Sequence, residues 1–314
     1  MKTILLTSTA LVMAAGMAAA EVGVTGDGRM GVISTNGADI GFTSRIRIVF
    51  TATGETDSGL TFGGTIRADN AAKAADGKHA TAAAAAAANP TGLATGLLAG
   101  DNTSSGGGVS GAAGSVYIAG AFGKITMGDT DGAPKAAVGN AGGVGLTGLG
   151  DKNEIAYLSG APHPSVLWNY TMGDLTLYAS ADNPGPAGDQ ALGGALTYSI
   201  GDVGVGIGVE RLGDTSHVAA GVTAALGDAS VKLVYGSRDD DDPATNDAQF
   251  AASASFTSGS ATFSAFTSRS LSEQDHFGIG AAFDLGGGAS IKGGFADGDS
   301  LNDPSFDLGV TMSF

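Results

Sequence analysis

From residue 21 to the end, the chain repeats one short pattern, in which apolar side chains recur at every second position. The last nine residues show it best. Phe306, Leu308, Val310, Met312 and Phe314 alternate with Asp307, Gly309, Thr311 and Ser313. Period two places alternate residues on opposite faces of a β-strand, and no helix presents one apolar face at that spacing. The same spacing opens the segment, with Val22, Val24, Met30 and Val32 on one face and Thr25, Asp27 and Arg29 on the other. It continues with Phe42, Ile46, Ile48 and Phe50 against Thr43, Arg45, Arg47 and Thr51, then Leu60, Phe62 and Ile66 against Thr61, Thr65 and Arg67. After residue 20 no window holds the ~18 consecutive apolar residues of a spanning helix. The chain is therefore read as all-β.

Sixteen alternating segments are expected, at 21–35, 39–54, 59–69, 114–122, 123–129, 164–172, 174–181, 191–201, 202–210, 216–227, 228–237, 246–257, 260–270, 275–285, 289–297 and 305–314. Their connectors are of two kinds. Tight pairs recur at Gly173-Asp174, Gly201-Asp202, Gly227-Asp228 and Gly259-Ser260, suited to two-residue hairpins. Longer polar links lie between them, at Asp182–Gln190, Arg238–Thr245 and Gly298–Pro304. Short turns at one end and long loops at the other characterise a membrane barrel, and an even strand number suits closure. The polar face carries Arg29, Arg45, Arg47, Arg67, Lys124, Lys232 and Lys292. In a wide barrel such charges belong in the wet interior and the apolar face belongs in lipid. Closure also satisfies every strand edge, as hydrocarbon demands.

Residues 1–20 read as a cleaved export signal. Lys2 supplies the positive start, Ile4 to Ala15 the apolar stretch and Ala18-Ala19-Ala20 the small-residue cleavage site. Residues 21–314 are then a single barrel domain. Two connectors are long, 70–113 and 130–163, a length usually tied to function. The first contains the run Ala82–Ala88 before Asn89-Pro90, which suits two helical turns stopped by the proline.

Composition excludes several functions. Asp and Glu outnumber Lys and Arg by 31 to 15, for a net charge of −16, which disfavours a nucleic-acid partner. The absence of Cys removes disulfides, thiolate metal sites and a thiol nucleophile. Gly supplies 54 of 314 residues, so the G-x-G-x-x-G matches at Gly106–Gly111 and Gly143–Gly148 are chance; neither joins a strand to a helix. His79, His163, His217 and His276 show no metal spacing. No cofactor is implied. The run Asp239, Asp240, Asp241 and Asp242 is expected in an outer loop. Clustered carboxylates of this kind suit a structural Ca²⁺ or Mg²⁺, or a divalent bridge to lipopolysaccharide.

Several stretches carry a family resemblance. EVGVTGDGRMGV (21–32), FTSRIRIVF (42–50), ETDSGLTFG (55–63), SVYIAGAFGKITMGD (115–129), YLSG (157–160), FDLGGGASIKGG (283–294) and the ending DLGVTMSF are similar to the general porins of alphaproteobacteria, of the Rhodobacter kind. The resemblance implies a sixteen-stranded transmembrane barrel in the outer membrane, assembled as a homotrimer among outer-membrane lipid and lipopolysaccharide. Each subunit would pass small hydrophilic solutes and ions passively. It implies that 130–163 is the third outer loop, folded into the pore, and that 70–113 is the second loop, reaching over a neighbouring subunit. In the family, acids on the third loop oppose a basic wall. Here the acids would be Asp129, Asp131, Asp151 and Glu154, facing Arg29, Arg45, Arg47 and Arg67, with Lys124 extending the wall. The family's loop is richer in acids, so weak ion selectivity is expected. The alternatives are an outer-membrane barrel enzyme of lipase type and a secreted Gly-rich β adhesin.

Overall fold

The computed structural model describes residues 21–69, 114–159, 164–184, 188–240 and 248–314. The expected signal segment, the Ala82–Ala88 helix with the rest of 70–113, His163, Asp241 and Asp242 lie outside the described residues. The strands are β1 (Glu21–Ser34), β2 (Gly41–Glu55), β3 (Thr61–Asp69), β4 (Gly114–Gly120), β5 (Gly123–Gly128), β6 (Ser165–Met172), β7 (Leu175–Ala181) and β8 (Leu192–Ile200). They continue as β9 (Val203–Leu212), β10 (Thr215–Leu226), β11 (Ala229–Asp239), β12 (Ala248–Ser258), β13 (Ala261–Arg269), β14 (Asp275–Gly286), β15 (Ala289–Gly298) and β16 (Ser305–Ser313). Each pairs antiparallel with its sequence neighbours, and β1 pairs with β16, so the sheet closes on itself.

All sixteen alternating segments are strands, with ends shifted by a few residues. Leu60 belongs to a turn, where its carbonyl accepts from Thr56 N–H at 2.8 Å. At the closing seam Glu21 and Phe314 do not meet. Phe314 exchanges two backbone hydrogen bonds with Gly26, at 2.6 and 2.9 Å, while Glu21 lies opposite Thr53 of β2. The first five residues of β1 thus overshoot the seam. Closing a sheet of tilted strands requires such a stagger, and the side-chain period admits only registers that keep each face in place. The tight turns use Gly173, Gly201, Gly227 and Gly259 at φ between 56° and 65°, the left-handed region that two-residue hairpins need.

Register assigns every strand residue to a face. Outward positions hold the large apolar side chains, from Val22 and Phe42 (75 % exposed) through Leu233 to Leu308. Among the described residues, charged side chains reach the outer face only at strand ends near the longer loops: Arg211, Asp239, Arg269, Asp275 and Asp297. Arg269 and Asp275 clasp each other there through two bonds of 2.6 and 2.7 Å. Aromatic side chains flank the uncharged band. Phe42, Tyr235, Phe250 and Phe277 lie toward the loops, and Phe62, Phe122, Phe256 and Phe263 toward the tight turns. A soluble protein rarely exposes an apolar patch beyond a few hundred Å², whereas a lipid-facing barrel needs an apolar band with aromatic girdles.

The buried apolar core sits inside the cylinder. Val138, Ala141 and Ile155 of the long connector pack on Ala219, Val234 and Ala251 of the wall, with Ala137 and Tyr157 against them. A second cluster joins Val144 and Leu149 to Phe266 and Ala296.

Candidate functional site

The connector between β5 and β6 turns into the barrel immediately. Gly128 sits at φ 124°, and Asp129 N–H donates back to Gly114 O at 2.9 Å. A short helix follows, α1 (Ala133–Val138), which sequence reading did not anticipate. Pro134 suits its first turn, where the missing N–H is harmless, and Gly139 ends it at φ 65° with its N–H bonded to Lys135 O. Six residues are too few for an isolated helix to persist. Packing against β7, β8, β9 and β10 holds it.

Beyond the helix the connector is fastened to inward-facing side chains of the wall. Gly142 N–H donates to Ser253 Oγ at 2.8 Å. The carboxylate of Asp307, 3 % exposed, then accepts three bonds. Leu146 N–H reaches Oδ1 at 2.9 Å, and Thr147 N–H and Oγ1 both reach Oδ2 at 2.7 Å. On the return, Ser268 Oγ donates to Lys152 O, and Lys152 Nζ donates to Ser300 Oγ at 2.9 Å. Ala156 and Gln249 exchange two bonds: Ala156 N–H to Oε1 at 2.8 Å and Nε2–H to Ala156 O at 2.7 Å. Glu210, 3 % exposed, accepts from Leu158 N–H, Ser159 N–H and Ser159 Oγ.

Glu210 also accepts from His217 Nδ1–H at 2.9 Å, in a site where His217 is 1 % exposed. Donation from Nδ1 leaves Nε2 to accept from the Gln249 amide, 3.3 Å away. The Tyr157 ring stands edge-on to the imidazole at 5.5 Å, and its hydroxyl donates to Gly139 O at 2.7 Å. Burial raises the Tyr157 phenol well above its ordinary value, and the charges of Glu210, Asp131 and Glu154 push the same way. Three side chains from β9, β10 and β12 thereby grip the final limb of the connector. Buried acceptors that satisfy several backbone donors at once hold a chain far better than solvated ones.

On the opposite part of the wall, register brings the arginines together. Arg29 of β1 faces Arg45 of β2 directly. Arg47 lies between Asp27 and Asp69 on its two neighbours, and Arg67 sits one step diagonally along β3, opposite Val49. Arg45 Nη2 donates to Asp27 Oδ2 at 3.0 Å. Lys124 stands apart. It is level with Ala119 on β4, which pairs with Thr61, six residues along β3 from Arg67 and about 20 Å away at strand rise. Its ammonium lies 4.3 Å from the centre of the Tyr117 ring.

The acids of the connector are dispersed. Asp129 is at its root, and Asp131 pairs with Lys135 at 3.1 Å. Asp151 occupies a left-handed turn at φ 54°, and Glu154 N–H donates to Asp151 O. In the acidic run, Asp239 ends β11 and Asp240 Oδ2 forms an ion pair with Arg238, 2.6 Å from its Nε. Among the described residues no cluster of three metal-ligating side chains forms.

Sequence reading missed Asp307, Glu210, His217 and Gln249. Their signal was faint but present. Each is polar, near the loop end of its strand and on the face opposite the apolar one, where a bulky hydrogen-bonding side chain among Gly, Ala and Ser must meet a partner or water.

A closed sixteen-stranded cylinder with an uncharged apolar band around its exterior, a charged interior and a connector lodged within it is a transmembrane β-barrel channel. The family model described as Gram-negative porin matches residues 7–303. A Rhodobacter capsulatus porin is 32 % identical, over 94 % of this chain and all of that protein. A porin structure refined at 1.8 Å is 30 % identical, with a TM-score of 0.72 over 94 % of this chain and all of the other. Engineered Rh. blastica porins, 18 % identical with TM-scores near 0.66, share the fold over 93 % of this chain and all of theirs. The chain belongs to the Gram-negative porin family and is an outer-membrane general diffusion porin, a channel and not an enzyme. The lipase-like and adhesin alternatives are thereby set aside.

Proposed function

We propose that small hydrophilic solutes cross this porin through a narrow zone between the connector 129–164 and the arginines Arg29, Arg45, Arg47 and Arg67. The observation that carries this reading is the fastening of the connector to Asp307, Gln249 and Glu210 on the inner wall. A connector held at so many points stays inside the channel. Arginines on three adjacent strands lie within a Debye length of one another and act as one positive surface. Asp129, Asp131, Asp151 and Glu154 supply the opposing charge. Because they are few and scattered, ion selectivity is weak. Lys124 acts separately, nearer the tight turns.

The test is the reversal potential of single channels in a salt gradient. Neutralising the pair by Arg45→Gln and Arg47→Gln shifts it toward cation selectivity. An unchanged potential at low salt would show that the arginines do not line the narrow zone.

The same reading holds that residues 1–20 are removed on export, that the porin is a homotrimer in lipid and lipopolysaccharide, and that 70–113 contacts a neighbouring subunit. Deleting 74–110 then weakens the oligomer more than the barrel, measured by its mass in mild detergent. The acids 239–242 serve a divalent bridge to lipopolysaccharide, read as loss of bound Ca²⁺ when they are changed to Asn.

A further inference from the structure

The connector lies on glycines. Building a Cβ at each wall glycine shows what occupies the missing side chain's place. At Gly206 it would lie 2.6 Å from Ala137 O, and at Gly208 2.7 Å from Pro134 Cα, so the backbone of α1 fills both positions. At Gly280 it would lie 3.0 Å from Val144 Cβ, and at Gly294 2.6 Å from the backbone of Gly145. None of these four has the left-handed backbone that would itself require glycine. Glycine inside a strand weakens it unless another chain must approach closely. Close approach is what the structure shows, in two patches, one on β9 and the other on β14 and β15.

We propose that Gly206, Gly208, Gly280 and Gly294 are size-determining positions of the channel: they set how far the connector stands off the wall, and so the bore left for solutes. The three atoms nearest to a Cβ at Gly206, and likewise at Gly294, all belong to the connector. Ordinary carbon contacts need about 3.5–4 Å, so each added methyl moves the connector by roughly 1 Å toward the channel axis. The wall behind stays put, because strand pairing holds it. Gly204 provides the contrast. It shares the strand and the inward face with Gly206, yet a Cβ there meets nothing within 4 Å. The inference rests on the connector being the narrow part of the channel.

The experiment compares single-channel conductance, and the swelling of liposomes in sugars of increasing size, for variants that migrate as folded heat-modifiable barrels. Gly206→Ala and Gly294→Ala lower conductance and slow the larger sugars more than the smaller. The double variant lowers both further, and Gly204→Ala matches the native protein. Ala156→Trp, which adds bulk on the exposed side of the connector, lowers conductance whether or not the glycines matter. A native conductance for both glycine variants beside a reduced one for Ala156→Trp would overturn the inference and leave the narrow-zone reading intact. A native conductance for Ala156→Trp as well would overturn both. A rise in the glycine variants would mean release rather than displacement, and would also overturn the inference. Should the first variants fail to fold, Gly221→Ala decides. Its Cβ would lie 2.9 Å from Val138 Cγ1, so Val138→Ala restores conductance in that background. Absence of this rescue counts against the proposal.

Discussion

Replacing Asp307 by Asn changes one atom and isolates the grip on the middle of the connector. The amide keeps the oxygen that accepts from Leu146 N–H and puts an NH₂ where Oδ2 stood, 2.7 Å from Thr147 N–H. Two donors then face each other, so the Thr147 bond is lost outright, at about 1.5–3 kcal/mol for a bond to a charged acceptor. The Thr147 hydroxyl turns to accept instead, and it and the Leu146 bond fall to neutral strength, about 1 kcal/mol weaker each. The total is about 3–5 kcal/mol. Even the lower end shifts the balance between seated and unseated connector by roughly 100-fold. The barrel is untouched, since its strand ladders do not involve the side chain. Hydrogen exchange read by mass spectrometry therefore shows faster exchange over residues 142–150, with strand peptides unchanged. Single-channel records gain open-channel noise. If exchange in that stretch is native while the substitution is confirmed, Asp307 does not hold the connector and the reasoning fails.

Two further outcomes follow from the same geometry. Tyr157 ionises above the ordinary phenol range, because burial and nearby carboxylates raise its folded value. Its stabilising effect is complete below about pH 10 and is lost as pH rises from there toward the folded value. A phenolate titration of Tyr157→Phe then coincides with the native curve until the most alkaline range, and an earlier divergence would contradict the burial. Trp168, the chain's single tryptophan, bonds through Nε1–H to Phe122 O at 2.8 Å and stacks near Tyr170 on the outer face. Its fluorescence is quenched by brominated lipid and spared by aqueous iodide; the reverse pattern would place this face in water.

Alternation along the chain was enough to read the strands, the two faces and the closed barrel. Phe306 and Leu308 face outward and Asp307 inward because the strand's side-chain period is two, whatever surrounds it. Closure followed because sixteen apolar-faced strands leave no unpaired edge only in a ring. The arginine cluster was legible for the same reason: Arg29, Arg45, Arg47 and Arg67 hold like-parity positions on neighbouring strands. Other features depended on partners far away in sequence. An inward polar residue that lines water and one that grips the connector look alike locally. Asp307 became an anchor only because residues 161 and 160 positions earlier, Leu146 and Thr147, come to rest on it. Glu210 is tied in the same way to Leu158 and Ser159, and the brief helix Ala133–Val138 exists by packing rather than by propensity. The overshoot of β1 past Phe314 reflects the stagger of a closed tilted sheet, which no single strand specifies. Period two is a property of the local backbone and is written in each segment, whereas the occupant of the lumen is chosen by contacts that form only after the barrel has closed around it.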